Sequence, residues 1–168
     1  MTVRKRHIVS ILLQNEVGAL SRVASLFSTR GYNIESLNVA PTEDPTVSRL
    51  TLVTTGTDAV IQQIVNQSLK LIDVVNVDDV TRDQHVEREL LLLKLRASPG
   101  RIDALRECVR KAGAKVLSDE AESFTVELTD SESQINTFIA ETGNLGEVLE
   151  VVRSGAVAML RGATTLHA

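Results

Sequence analysis

The chain has 168 residues, enough for one domain or two small ones, and 43% are hydrophobic, so it can bury a core. Only Phe27, Tyr32, Phe124 and Phe138 are aromatic, which makes that core aliphatic. A formal charge of −4, with Arg4-Lys5-Arg6 as the one basic cluster, excludes a nucleic-acid surface.

The predicted elements begin with a β-rich strand over 7–13. A polar loop, Gln14-Asn15-Glu16-Val17-Gly18, follows it. From Gly18 the period becomes helical, with Leu20, Val23, Ala24 and Phe27 on one face and Gly31 where a C-cap is expected. A strand therefore feeds a loop that ends at a free helix N-terminus, whose unpaired N–H groups suit a carboxylate or phosphate. A second strand is expected over 33–40. Ile34 is out of phase with Leu37 and Val39, which predicts a bulge or a late start. The turn Pro41–Thr46 leads to a third strand over 47–55. Gly56-Thr57-Asp58 then caps a helix over about 58–70, with Ile61, Ile64, Val65 and Leu69 on its apolar face, and 72–80 forms a fourth strand.

The polar segment after residue 81 reads as a linker, and the same order then repeats. Residues 88–97 hold the most apolar run. A helix follows over about 100–112, then a hairpin over 114–118 and 123–128, a helix from Thr129-Asp130 to Gly143, and a strand over 147–153. The fold class is α+β: two tandem ferredoxin-like βαββαβ units, each of four antiparallel strands with two helices on one face. The expected divisions are 1–81, a linker 82–88, and 89–168. The tail from Ser154, with its apolar piece 156–160, is expected to pack on the second unit.

Catalytic and metal chemistry has little support. His7, His85 and His167 have no companions at ligand spacing, and no Gly-rich phosphate loop, GxGxxG or GxSxG occurs. Cys108, mid-helix near the apolar stripe, reads as a buried structural thiol. Asp78-Asp79 reads as a solvated pair. One cysteine fits a reducing compartment. No apolar segment reaches the roughly 18 residues of a spanning helix, and no signal peptide is evident. A soluble, cytoplasmic protein with no membrane contact is expected. On spacing alone, the loop at 14–20 is an ordinary connection in which Asn15 makes an Asx-turn and Gly18 a tight bend.

The segments ILLQNEVGALSRVASLFSTRGYNIESLNVAPTEDPTVSRLTLVT, HVERELLLLKLRA and EVLEVVRSGAVAMLRG resemble the small, regulatory subunit of acetolactate synthase (acetohydroxyacid synthase) over nearly the whole chain. The resemblance makes the first unit an ACT domain, the amino-acid-sensing version of βαββαβ. It implies no catalytic site here. A separate large subunit carries thiamine diphosphate, magnesium and FAD and condenses pyruvate in branched-chain amino-acid biosynthesis. The small subunit raises that activity and confers feedback inhibition by valine, held where two ACT sheets join side by side in a homodimer. The family's effector-contacting pattern falls on Asn15, on Gly18-Ala19-Leu20 and on Asn33, with Ile34 lending apolar surface. Backbone N–H groups of Gly18, Ala19 and Leu20 would hold a carboxylate, and the Asn15 and Asn33 amides an ammonium. The alternative is a free-standing amino-acid sensor acting on another protein. The second unit has Ser98-Pro99-Gly100 in place of the Asn-x-x-Gly loop, so one unit is equipped to sense.

Overall fold

The computed structural model describes residues 3–167, which divide into two compact units. Among the described residues the first comprises 3–86 with 156–167, the second 87–155. In the first unit the order is β1 (Lys5–Gln14), α1 (Ala19–Thr29), β2 (Ser36–Pro41), β3 (Val47–Gly56), α2 (Asp58–Ser68) and β4 (Val74–Asp79). The antiparallel sheet runs β2-β3-β1-β4. Alternate residues of β1 and β3 face the helices: Val9, Ile11, Leu50 and Leu52 pack with Val23 and Phe27 of α1 and with Ile61 and Ile64 of α2. Full burial of each such side chain stabilises by about 1.5–3 kcal/mol.

Helix α1 ends as its sequence requires. Gly31 adopts φ +69, its N–H donates to Ser28 O, and the Tyr32 N–H donates to Phe27 O. This is a Schellman closure that needs a left-handed residue after the C-cap. It also delays β2, which starts at Ser36 because 31–34 serve the turn. Thr54 Oγ1 donates to the Asn33 carbonyl at 2.6 Å and fixes that turn to β3.

The second unit repeats the order with β5 (His85–Ala97), α3 (Ile102–Lys111), β6 (Lys115–Ser118), β7 (Phe124–Asp130), α4 (Glu132–Gly143) and β8 (Gly146–Arg153). Its sheet runs β6-β7-β5-β8, the same topology as the first. Leu91, Leu93 and Leu95 of β5 meet Leu105 and Val109 of α3 and Ile135 and Phe138 of α4.

Four expectations are corrected. The tail does not belong to the second unit: Ala156 and Ala158 cluster with Ile8, Val53 and Val80 on the face of the first sheet opposite its helices. That face carries its own apolar residues, and Ala158 and Leu160 of β9 (Val157–Leu160), with Ala156 just before the strand, pack on them. The linker expected over 82–88 is mostly strand, since β5 begins at His85. The Arg161 N–H donates to Gln84 O, so the tail orders this segment through a partner 77 residues away in sequence. The second helix of the second unit starts later than Thr129-Asp130, because β7 runs through Asp130 and Ser131 is the N-cap. Finally, Asp79 is 2% exposed, not solvated. Its carboxylate accepts from His7 Nδ1 at 3.0 Å, from Arg82 Nε at 3.2 Å and from Thr81 Oγ1, so partners satisfy the buried charge.

Candidate effector site

The loop after β1 is held from two sides. The Gln14 N–H donates to Asp73 O and the Asn15 N–H to Thr46 O, both at 2.7 Å. The Asn15 side chain does not close an Asx-turn on its own loop. Its Nδ2 donates to Pro45 O at 3.0 Å, which turns Oδ1 to the other side of the amide, where it can accept.

Gly18 is the N-cap of α1 at φ +88 and supplies no side-chain cap. In α2, by contrast, the Thr57 side chain accepts from the Val60 N–H. The Ala19 N–H is spent on Glu16 O at 3.2 Å, and the Ala19 methyl is in the core. The N–H groups of Gly18 and Leu20 donate to no backbone carbonyl among the described residues. An uncapped helix end with open donors attracts an anion.

A cation reinforces that end. A Cβ added to Gly18 would lie 3.0 Å from Arg22 Nη1, so the guanidinium rests against the helix start. Arg22 grips Asp73 in a two-pronged pair, Nε to Oδ2 and Nη2 to Oδ1, the second at 2.8 Å. The hydrogen bond from Arg22 holds the Asp73 carboxyl below the usual carboxylate range, and the same bond raises Arg22 above its usual value. Glycine at 18 therefore serves twice, by its left-handed backbone and by the space its missing side chain leaves beside Arg22.

The structure brings Asn15, Gly18, Ala19 and Leu20 together at one end of α1. Asn33 and Ile34 lie past the other end. The 11 residues of α1 span about 16 Å, far longer than one amino acid. Ile34 packs against the first core, whereas Asn33 is exposed and lines a cavity of about 300 Å³ with Arg4, Arg30, Tyr32 and Thr57. Between the two ends runs β2, whose outer edge is open and whose Leu37 and Val39 are partly exposed.

Residues 9–76 match the model of the AHAS small subunit-like ACT domain, and 88–162 match the model of the small subunit of acetolactate synthase. The acetolactate synthase isozyme 3 small subunit of Escherichia coli is 43% identical over 157 residues, covering 94% of this chain and 96% of that protein. The Haemophilus influenzae acetolactate synthase small subunit is 40% identical over 94% of this chain and 96% of its own length. The chain belongs to the acetolactate synthase small-subunit family. The crystal structure of the small subunit from Thermotoga maritima superimposes with a TM-score of 0.83 at 34% identity, covering 95% of this chain and 99% of that one.

Two residues at this helix start escape a reading of the sequence. Arg22 falls on a polar position of α1 with nothing local to distinguish it. Asp73 is 51 positions away, in the connection before β4. Only the return of β4 beside β1 brings them together.

Cys108 lies at the rim of a separate cleft between α3 and α4. Its thiol is half-buried, 3.9 Å from Glu141 Oε2, and burial followed by that carboxylate raises its pKa, which keeps it a thiol. Among the described residues no group of three or more His, Cys, Asp or Glu side chains could hold a metal ion, and no helix is long and apolar enough to cross a membrane.

Proposed function

We propose that this chain is the non-catalytic regulatory subunit of an acetolactate synthase, which binds valine or a related branched-chain amino acid across an ACT homodimer. The observation that carries the proposal is the separation of the site's two halves by the length of α1. A two-fold axis beside β2 pairs the edges antiparallel, so the loop end of one α1 meets the Asn33 end of the other. The carboxylate then sits on the Gly18 and Leu20 N–H groups beside Arg22. The ammonium faces the Asn15 oxygen and the partner's Asn33, and the branched side chain meets apolar surface around Ile34. Because each site takes parts from two chains, the effector favours one dimer arrangement over another. That preference is a coupling free energy available to the large subunit. The thiamine diphosphate, magnesium and FAD chemistry resides on the large subunit, whose activity this chain raises and whose inhibition by valine it confers.

Complementation tests the shared site. Gly18→Asp and Asn33→Ala chains should each fail to bind valine by calorimetry. Co-expressed, they form mixed dimers in which one of the two sites joins an intact loop to an intact Asn33. Recovery of half-stoichiometric valine binding, and of valine inhibition once the large subunit is added, is the expected result. If the mixed dimers bind no better than either parent, the shared site is wrong.

A further inference from the structure

Arg22 stands where the helix itself disfavours an arginine. Its N–H donates to Gly18 O at 3.0 Å, and its side chain, leaning toward the helix N-terminus, comes back over the first turn of α1. A cation there opposes the helix dipole, and the first turn holds no acidic residue to offset it. Asp73 offsets it from the connection before β4. The Asp73 side chain is 6% exposed, and each of its carboxylate oxygens accepts from Arg22, one from Nε and the other from Nη2. The third guanidinium nitrogen is left over. Among the described residues Arg22 Nη1 has no hydrogen-bond partner. It is also the guanidinium atom nearest to where a Gly18 Cβ would stand, 3.0 Å away against 3.7 Å for Nη2. Glu16 is close enough to raise Arg22 further, but it accepts no hydrogen bond from it. Asp73 also offers its backbone carbonyl to the Gln14 N–H at 2.7 Å. One residue thus fixes both the plane of the guanidinium and the start of the loop that leads to Gly18.

From this arrangement we propose that Arg22 reads the effector's carboxylate through Nη1, with Asp73 as its positioning residue, so that the site selects ligands carrying a free carboxylate. The proposal rests on the reading of this loop as the effector site and deepens it by naming the side chain that discriminates. One carboxylate oxygen takes the open N–H groups of Gly18 and Leu20, and the other takes Nη1–H. Backbone N–H groups are neutral donors, which accommodate the oxygen of a carboxamide as well as that of a carboxylate. The guanidinium separates the two, because a hydrogen bond with both partners charged is roughly twice as strong as a neutral one. Held by Nε and Nη2, it meets the ligand already oriented, and little of the entropy of ordering a long side chain is lost on binding. A lysine would carry the charge without the planar fork that holds Asp73 and a ligand at once.

Calorimetry of the full-length chain with valine and with valinamide, which differ only at the carboxylate, tests the assignment. The parent should prefer valine by at least about 30-fold. Arg22→Gln should weaken valine about 10- to 100-fold and valinamide by less than about threefold. A merely structural loss at the helix start would weaken both alike. Asp73→Asn should lower the same preference although Arg22 keeps its charge. The double variant Arg22→Gln/Asp73→Asn should bind valine no more weakly than Arg22→Gln alone, because Asp73 acts through Arg22. The double variant also removes the buried carboxylate that Arg22→Gln leaves without its cation, so it gives the answer where the single variant fails to fold. A parent that binds no valine overturns the effector site and this proposal with it. A parent that binds valine, with its preference over valinamide unchanged in Arg22→Gln or in the double variant, overturns the role of Arg22 alone. An Asp73→Asn chain that matches the parent for both ligands overturns the positioning role.

Discussion

After β1 and after β5 the chain makes the same move with different parts. In the first unit, Gln14 and Asn15 donate to the carbonyls of Asp73 and Thr46. In the second, Ala97 and Ser98 donate to those of Ala121 and Leu145. Each strand end is thus tied to its hairpin turn and to the connection before its last strand. The helices then begin unalike. Gly18 is itself the cap of α1, left-handed, with Arg22 four residues on. In the second unit Gly100 comes one residue early, Arg101 caps α3 at φ −104, and the residue four on is the buried Leu105. One shared topology therefore supports a charged, open helix start in one unit and an apolar, packed start in the other. The difference rests on a one-residue shift of a glycine and on what occupies the first helical turn.

Substitutions at three glycines, Gly18, Gly146 and Gly100, break the comparison most sharply. Gly18→Asp puts a carboxylate on a left-handed backbone, against Arg22 and in the place proposed for the effector. Valine affinity should fall by more than about 100-fold in calorimetry, which is roughly 2.7 kcal/mol. Gly146→Ala tests the framework of the second unit, because its Cβ would collide with the Arg96 carbonyl. That overpacking should cost about 1–3 kcal/mol in chemical denaturation and leave valine binding unchanged. Gly100→Asp has open space around its Cβ but a φ of +73. It should cost about 1–2 kcal/mol of the second unit's stability, again without touching valine affinity.

The smallest effect concerns pH. The Asp73 carboxyl is held low by Arg22, so the pair stabilises the native chain fully above the ordinary aspartate value and is lost as pH falls through the lowered one. The melting temperature of Asp73→Asn should therefore fall less steeply than the parent's between roughly pH 5 and 3, followed by circular dichroism.

What could be foreseen divides along the same line. The 3.6-residue spacing of Val23 and Phe27, the capping Thr57 and Gly31, and the alternation of Leu91, Leu93 and Leu95 are local signals. They placed both units, their helices and the late start of β2. Features decided by distant partners left no such trace. Asp79 reads as surface until His7 and Arg82 close on it. The polar run from His85 reads as linker until the tail pairs with it, and Arg22 is an ordinary helix arginine until Asp73 arrives beside it. For the proposed effector site, the loop is visible as an anion-friendly helix start, but the proposed division between the two ends of α1 needs the length of the helix and the open β2 edge.

The tail's return to the first unit has a consequence for how the chain is made. Synthesis delivers the N-terminal strands first, yet Ile8, Val53 and Val80 stay uncovered until Ala156 and Ala158 emerge, after the whole second unit. A nascent chain of about 150 residues thus carries a finished second half and a first half still exposing an apolar sheet face, at a synthesis rate of about 5–20 residues per second. The part that emerges first is the last to be completed.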